Sequence, residues 1–366
     1  MDVKEKYSID IHDRRFSSKQ NCIDFLVQAR WKGKPQCPYC NNDNMNYYLA
    51  KRSIYKCSSC RMQFSPTKGT IFESSKIPLT KWFKAIYFFT TSKRGFSSYQ
   101  MAKWIGVSQK TAWFLLHKIR EAIKEENDII LKGIIEADET FVGPKINRDL
   151  RLRIAKKRYE AKQEAIHGIS DNKKRKRLGP RKVGRKKGST KKVLQQKKME
   201  REVKGERTTF ERCTVVFGMA EKKGRIVMKT LGTSSKTITK NNIYPLINNH
   251  VDINSSALIT DELNVYTGVT FLPHLTVSHK KSYVTKYGVH INNIENAWNH
   301  FKRVIAGTYF HLSYPHFDTY LNENSFRWNR RNDSIKYQFD SFFPLVNNKK
   351  ITYIEIASRK KNKLAA

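Results

Sequence analysis

The chain has 366 residues, enough for two or three domains with at least one sizeable core. It carries 71 Lys and Arg against 32 Asp and Glu, a formal net charge of +39. Such a balance self-repels unless a polyanion is nearby, which points to nucleic acid or an anionic membrane. The membrane is disfavoured, because the aromatic-rich stretch from Trp82 to Phe89 is interrupted by Lys84 and falls far short of the ~20 residues of a spanning helix.

Residues 1–35 read as a helical lead-in carrying Phe25, Leu26 and Trp31, with a turn at Gly33 to Pro35 and no apolar core of a signal peptide. The expected setting is therefore the cytoplasm or nucleoid, or the nucleus in a eukaryotic host. Residues 36–77 hold two CxxC pairs, Cys37/Cys40 and Cys57/Cys60, 16 residues apart among short strand-like runs such as Tyr47 to Leu49. Two such knuckles can present four thiolates tetrahedrally to one Zn²⁺, closing a zinc ribbon too small to hold a core unaided. Four protein ligands leave no open position, so this ion would be structural. Cys22 and Cys213 stand alone.

From 78 to 130 the pattern is helical, with Trp82, Ala85, Ile86 and Phe89 on one stripe and a second set from Tyr99 to Ile123. Phe96 to Trp113 reads as a helix-turn-helix. Ala102 is the small residue in the first helix, Gly106 the turn, Val107 points inward, and Ser108 is the cap of the second helix. Ser108, Gln109, Lys110 and Thr111 lie near the start of that second helix, where recognition helices meet DNA.

At Gly133 the period becomes that of a strand, and a new domain is expected over 131–143 and 208–340. Between its parts, 144–207 has 25 Lys or Arg among 64 residues and few apolar ones, the composition of a basic insertion. Cys213 to Ala220 and Arg225 to Leu231 read as a hairpin, Thr239 to Asn249 as a helix, and Ala257 to Thr260 as a buried strand. A short strand near Leu275 to Ser278 follows, with helices from about Asn293 to Ile305 and Pro315 to Asn329. Residues 341–366 read as a basic C-terminal tail.

Three acids fall where a strand-and-helix nuclease needs them: Asp138 in the middle of a strand, Asp261 at the end of a buried strand, and Glu295, after 33 intervening residues, opening an amphipathic helix. Convergent carboxylates of this kind hold two Mg²⁺ or Mn²⁺ ions for phosphoryl transfer. Glu139 and Glu262 are neighbouring acids, and Glu136 is the sharper rival because alternation puts it on the same strand face as Asp138.

The ordered motifs resemble a known family. They are Phe64 to Phe72, Trp82 to Ile86, Lys110 to Trp113, Glu136 to Gly143, Thr260 to Glu262, His290 to Trp298, Lys302 and Arg303, Gly307 to Tyr309, and Phe326 to Arg331. Over about 20–143 and 208–332 they resemble the bacterial insertion-sequence DDE transposases with a zinc-ribbon N-terminus, relatives of the eukaryotic Merlin elements. The resemblance implies an α/β RNase H-like catalytic domain, a mixed five-stranded sheet flanked by helices, with Asp138 and Asp261 as first and second acids. The third ligand in this group is Glu or Asn, so Asn292 and Asn293 stand beside Glu295. On this reading the partners are double-stranded DNA, in terminal inverted repeats and target, and further copies of the chain in a homodimer or higher multimer. Lys302 and Arg303 are expected on phosphates. A structure-specific nuclease or resolvase of the same fold, and a domesticated DNA-binding regulator without activity, are the alternatives.

Overall fold

A computed structural model describes residues 12–124, 128–143, 213–277, 290–310, 312–347, 349 and 351–362. The basic insertion at 144–207 lies outside them, as does Ser278, the last residue of the expected short strand.

In the front end, α1 (Lys19–Trp31) starts where the Ser18 hydroxyl accepts the Asn21 N–H, and it stops at Lys32 and Gly33, both at positive φ. Three short strands, β1 (Tyr47–Leu49), β2 (Ile54–Lys56) and β3 (Gln63–Phe64), pair antiparallel. Three helices follow: α2 (Leu79–Thr91), α3 (Ser98–Ile105) and α4 (Gln109–Ala122). The expected stripe of Trp82, Ala85, Ile86 and Phe89 is fully buried, with Phe83 beside it.

The partners of that stripe include the far end of the chain. Behind α8 (Ile335–Asp340), a 3₁₀ turn over Phe343–Val346 buries Phe342, Phe343 and Val346 completely. Phe25 meets Phe343 at 4.8 Å between ring centroids, Phe16 meets Phe339 at 5.2 Å, and the Arg15 guanidinium pairs with Asp340 at 2.7 Å. Phe342, Phe343 and Val346, placed by the sequence in a basic tail, are thus core. Apolar side chains so close to a run of lysines leave no period to read, and only long-range packing reveals them. Beyond them lies α9 (Tyr353–Asn362).

The second layer is a mixed five-stranded sheet in the order β6-β5-β4-β7-β8. Its strands are β4 (Leu131–Val142), β5 (Thr214–Glu221), β6 (Ile226–Gly232), β7 (Val251–Thr260) and β8 (His274–Thr276). β4, β5 and β6 form an antiparallel meander, while β7 runs parallel to β4 and β8 parallel to β7. The crossover from β6 to β7 passes through α5 (Lys240–His250).

Alternation divides the sheet into two faces. Leu131, Ile135, Ala137, Phe217 and Met219 pack with Ile243 and Ile247 of α5. Val142, Val216, Ala220 and Met228 pack on the other face with α6 (Asn292–Val304) and α7 (Phe317–Asn329). α7 also seals the outer edge of β6. Asn329 accepts from Ile226 N and donates to Ile226 O, and Asp318 accepts from the backbone and hydroxyl of Thr230. The free ladder groups of an edge strand are thereby occupied.

Candidate active site and zinc ribbon

The four cysteines come together as the spacing requires. Cys37 Sγ lies 3.6 Å from Cys60 Sγ, Cys40 Sγ 3.6 Å from Cys57 Sγ, and all four sulfurs are within 4.8 Å of one another. Bonds of ~2.3 Å to a tetrahedral zinc would set sulfurs ~3.8 Å apart, so the donor set fits the ion. The two knuckles are built alike. The Cys37 N–H donates to Asn42 O and the Cys57 N–H to Met62 O, with Asn41 and Arg61 at positive φ closing each turn. Burial alone would raise the Cys57 thiol. Backbone N–H groups of Cys60 and Ser59 and the Asn42 amide outweigh it and lower the thiol below its ordinary value, which favours the thiolate that binds metal.

In the helical pair, Gly106 at φ 64 turns the chain between α3 and α4, and the Ser108 hydroxyl accepts the Thr111 N–H. Gln109 Nε2 donates to Ser98 Oγ, tying the two helices together at their starts, while the Lys110 ammonium sits over the Tyr353 ring. Ala112, Leu115, Leu116 and Ile119 face the core as expected, yet His117, Lys118 and Arg120 are buried too. Only the first turn of α4, with Ser108 and Lys110 exposed, is open to a large partner.

Asp138 lies on the α6 face of β4, opposite Gly218 of β5. Its Oδ2 accepts the indole N–H of Trp298 at 3.0 Å. Burial pushes the Asp138 carboxyl up to about 6, and the charges of Asp261 and Glu295 add to it. Asp261, at the end of β7, and Glu295, in the first turn of α6, therefore lie near enough to Asp138 on β4 for their charges to act on it. The three lie farther apart than the cysteines: among the described residues, only the cysteines bring three or more such ligand atoms within 4.8 Å. The donors are all carboxylate oxygens, the set that suits a hard divalent cation.

The rival acids have other work. Glu136 is fully buried, and it accepts from Asn293 N at 2.7 Å, Asn293 Nδ2 at 2.6 Å and Ile294 N at 3.1 Å. A carboxylate at the open N–H groups of a helix start is a favourable anchor. It fastens α6 to β4 two residues before Asp138. Asn293 is thereby engaged, whereas Asn292 is exposed. Glu139 points to the opposite face, where the Tyr266 hydroxyl donates to it. Burial lifts its carboxyl to about 8, against the Tyr266 hydrogen bond, and the charges of Asp138 and Asp261 raise it further. Glu262, Lys302 and Arg303 are exposed, the last two on the outer side of α6.

Sequence reasoning treated Trp298 only as an apolar contact and passed over Gly218 and Tyr266. An isolated glycine inside an apolar strand is itself a sign of close approach, and Gly218 is such a residue.

Comparison with known proteins adds two family matches. A transposase zinc-ribbon domain matches residues 17–63, and an ISXO2-like transposase domain matches residues 181–329. The first spans all four cysteines. The second takes in Asp261 and Glu295, ends on the last residue of α7, and starts after β4 and Asp138. A Halobacterium salinarum protein described as an uncharacterized protein in transposable element ISH50 is 31% identical over 131 residues, which is 35% of this chain and 44% of that protein. The chain thus matches less than half the length of that relative. No solved structure matches the chain. Among the described residues, no helix is long and apolar enough to cross a membrane.

Proposed function

We propose that the chain is an insertion-sequence DDE transposase with an N-terminal zinc ribbon, and that it cleaves and joins DNA at the ends of its element by two-metal phosphoryl transfer. The observation that carries the proposal is Asp138 itself, partly buried on the α6 face of β4 with its carboxyl raised by burial and by the charges of Asp261 and Glu295. When bound there, two Mg²⁺ or Mn²⁺ ions would supply an activated water or 3′-hydroxyl and neutralise the leaving oxygen. Asp138, on the strand beside β7 and under α6, is the residue to bridge both ions, with Asp261 and Glu295 each completing one. Glu136 and Trp298 hold α6 against β4. The mixed sheet supports an RNase H-like assignment, in which these strands and α6 form the scaffold.

The zinc ribbon and the first turn of α4, with Ser108, Gln109, Lys110 and Thr111, bind the terminal inverted repeats as a helix-turn-helix does. Lys302 and Arg303, exposed on the helix that carries Glu295, take phosphates. Two ends must be joined to one target, so the working form is a homodimer or higher multimer on DNA.

The test uses the zinc-loaded full chain and duplexes carrying its element's own ends. Asp138→Asn and Asp261→Asn should abolish Mg²⁺-dependent cleavage and strand joining while end binding persists. Wild-type cleavage with no joining would reassign the protein to the nucleases. Binding with neither reaction in any divalent metal would make it a regulator.

A further inference from the structure

We propose that Trp298 is a positioning residue for Asp138 and that Gly218 is the position that admits it; the inference rests on the two-metal reading above. The Trp298 side chain is 4% exposed and its ring lies across β5 at the residue paired with Asp138. A Cβ on Gly218 would stand 2.5 Å from the ring's Cη2, 2.6 Å from Cζ2 and 3.0 Å from Ile294 Cδ1. The glycine is required for space, because any side chain there would drive the indole off the strand and α6 with it. With the ring seated, the N–H at its edge reaches Asp138 Oδ2 at 3.0 Å.

This hydrogen bond has consequences for the whole acid set. A carboxylate has two oxygens and about four lone-pair sites. The indole takes one site on Oδ2, restraining the rotation of the carboxylate while other lone-pair sites stay available to a cation. Trp298 lies three residues after Glu295, on the neighbouring turn of the same helix face. One side chain therefore sets the orientation of the first acid and, through its own backbone, the distance from that acid to the third. Outer partners of this kind, donating to a ligand and not to the metal, change metal affinity by about 10–100-fold when removed. Core filling alone does not require a donor aimed at an acid: a phenylalanine would fill much of the same space among Ala297, Phe301 and Ile294.

Trp298→Phe keeps an aromatic ring in most of the space and deletes the donor, and the Asp138→Asn background then separates lost packing from the lost hydrogen bond. Mn²⁺ binding to the zinc-loaded full chain is measured by titration calorimetry in wild type, Trp298→Phe, Asp138→Asn and the double variant, with thermal melts confirming that each is folded. The expected result is a loss of about 10-fold or more in Mn²⁺ affinity for Trp298→Phe, and no added loss when Asp138 is already Asn. Gly218→Ala should weaken Mn²⁺ binding in the same way. Wild-type affinity in Trp298→Phe, beside a loss in Asp138→Asn, overturns the positioning role and leaves the two-metal reading standing. An equal loss from Trp298→Phe in the Asp138→Asn background also overturns it, since the residue would then act by another route. Unchanged affinity in Asp138→Asn overturns the two-metal reading itself and this inference with it.

Discussion

Glu323 of α7 and Asp138 of β4 are both acids withdrawn from water, in surroundings of opposite character. Glu323, in the joint between the front end and the sheet, is 2% exposed and lies 2.7 Å from both Arg120 and Arg327, with the Tyr309 hydroxyl donating at 2.8 Å. Burial would raise its carboxyl, but the two guanidiniums outweigh burial and hold it below the ordinary value of 4.5. At Asp138, burial raises the carboxyl and the neighbouring Asp261 and Glu295 push the same way. The first region balances its charge internally and serves to hold two layers together. The second leaves like charges facing one another, an arrangement kept where a ligand from outside completes it, and so a mark of a functional site.

Four experiments break or sharpen that contrast. The largest effect is on activity. Glu295→Gln should abolish cleavage and joining with binding retained, whereas Asn292→Ala and Asn293→Ala should keep measurable activity in the same strand-transfer assay. Asn293→Ala should be the less stable of the two, since it deprives Glu136 of one donor. A dead Asn292 or Asn293 variant beside an active Glu295→Gln would move the third ligand to the asparagine.

Stability comes next. Glu323→Gln leaves two buried guanidiniums short of a counter-charge and should cost about 3–5 kcal/mol in denaturant melts. Asp138→Asn should act with the opposite sign, stabilising the protein by about 1–2 kcal/mol at neutral pH when Mg²⁺ is withheld, because it removes a costly charge. Destabilisation by both would erase the distinction between the regions.

The pH dependence should then divide in the same way. Glu323 has a lowered folded-state pKa, so its contribution is complete above about 4.5 and is lost as pH falls below that value. Asp138 has a raised one, so stability should decline as pH climbs from 3.8 to about 6. Melts across pH 3 to 7 should lose the acid limb in Glu323→Gln and the decline toward pH 6 in Asp138→Asn.

The smallest effect belongs to the exposed cations. Lys302→Ala and Arg303→Ala should each lower the slope of log affinity against log salt by ~0.9 if each meets a phosphate. A slope unchanged in both would place the DNA on another face.

The metal-binding cysteines were legible in the sequence because their ligand spacing is local. The strand around Asp138 and the helix carrying Glu295 were legible because each has its own apolar period. Other features depend on pairs distant in the chain. Strand alternation places Glu136 and Asp138 on one face, but only the docking of α6 assigns one to a helix start and the other to the Trp298 indole. β7 extends back to Val251, whereas the apolar run shows only Ala257 to Thr260, because Asn254 and Ser255 lie at exposed positions. Arg120 and Lys118 read as polar positions on an amphipathic helix, yet both are buried, Arg120 on Glu323 some 203 residues away and Lys118 donating to Ile71 O. A pairing of that length leaves no periodic trace.

The closure of the front-end core by Phe339, Phe342 and Phe343 sets an order of events in synthesis. Phe16, Phe25 and Phe83 leave the ribosome long before Phe339 and Phe343, the rings they pack on. A loop of more than 250 residues must close before those contacts return free energy, a slow step of high contact order. The growing chain therefore carries an open aromatic face, and chaperones have the opportunity to hold it. A chain stopped before residue 339 would retain its cysteines and all three acids and still lack a closed front end. The segment from Phe339 to Phe343 thus acts as a check on synthesis, closing the front end only after the sheet and its acids have been made.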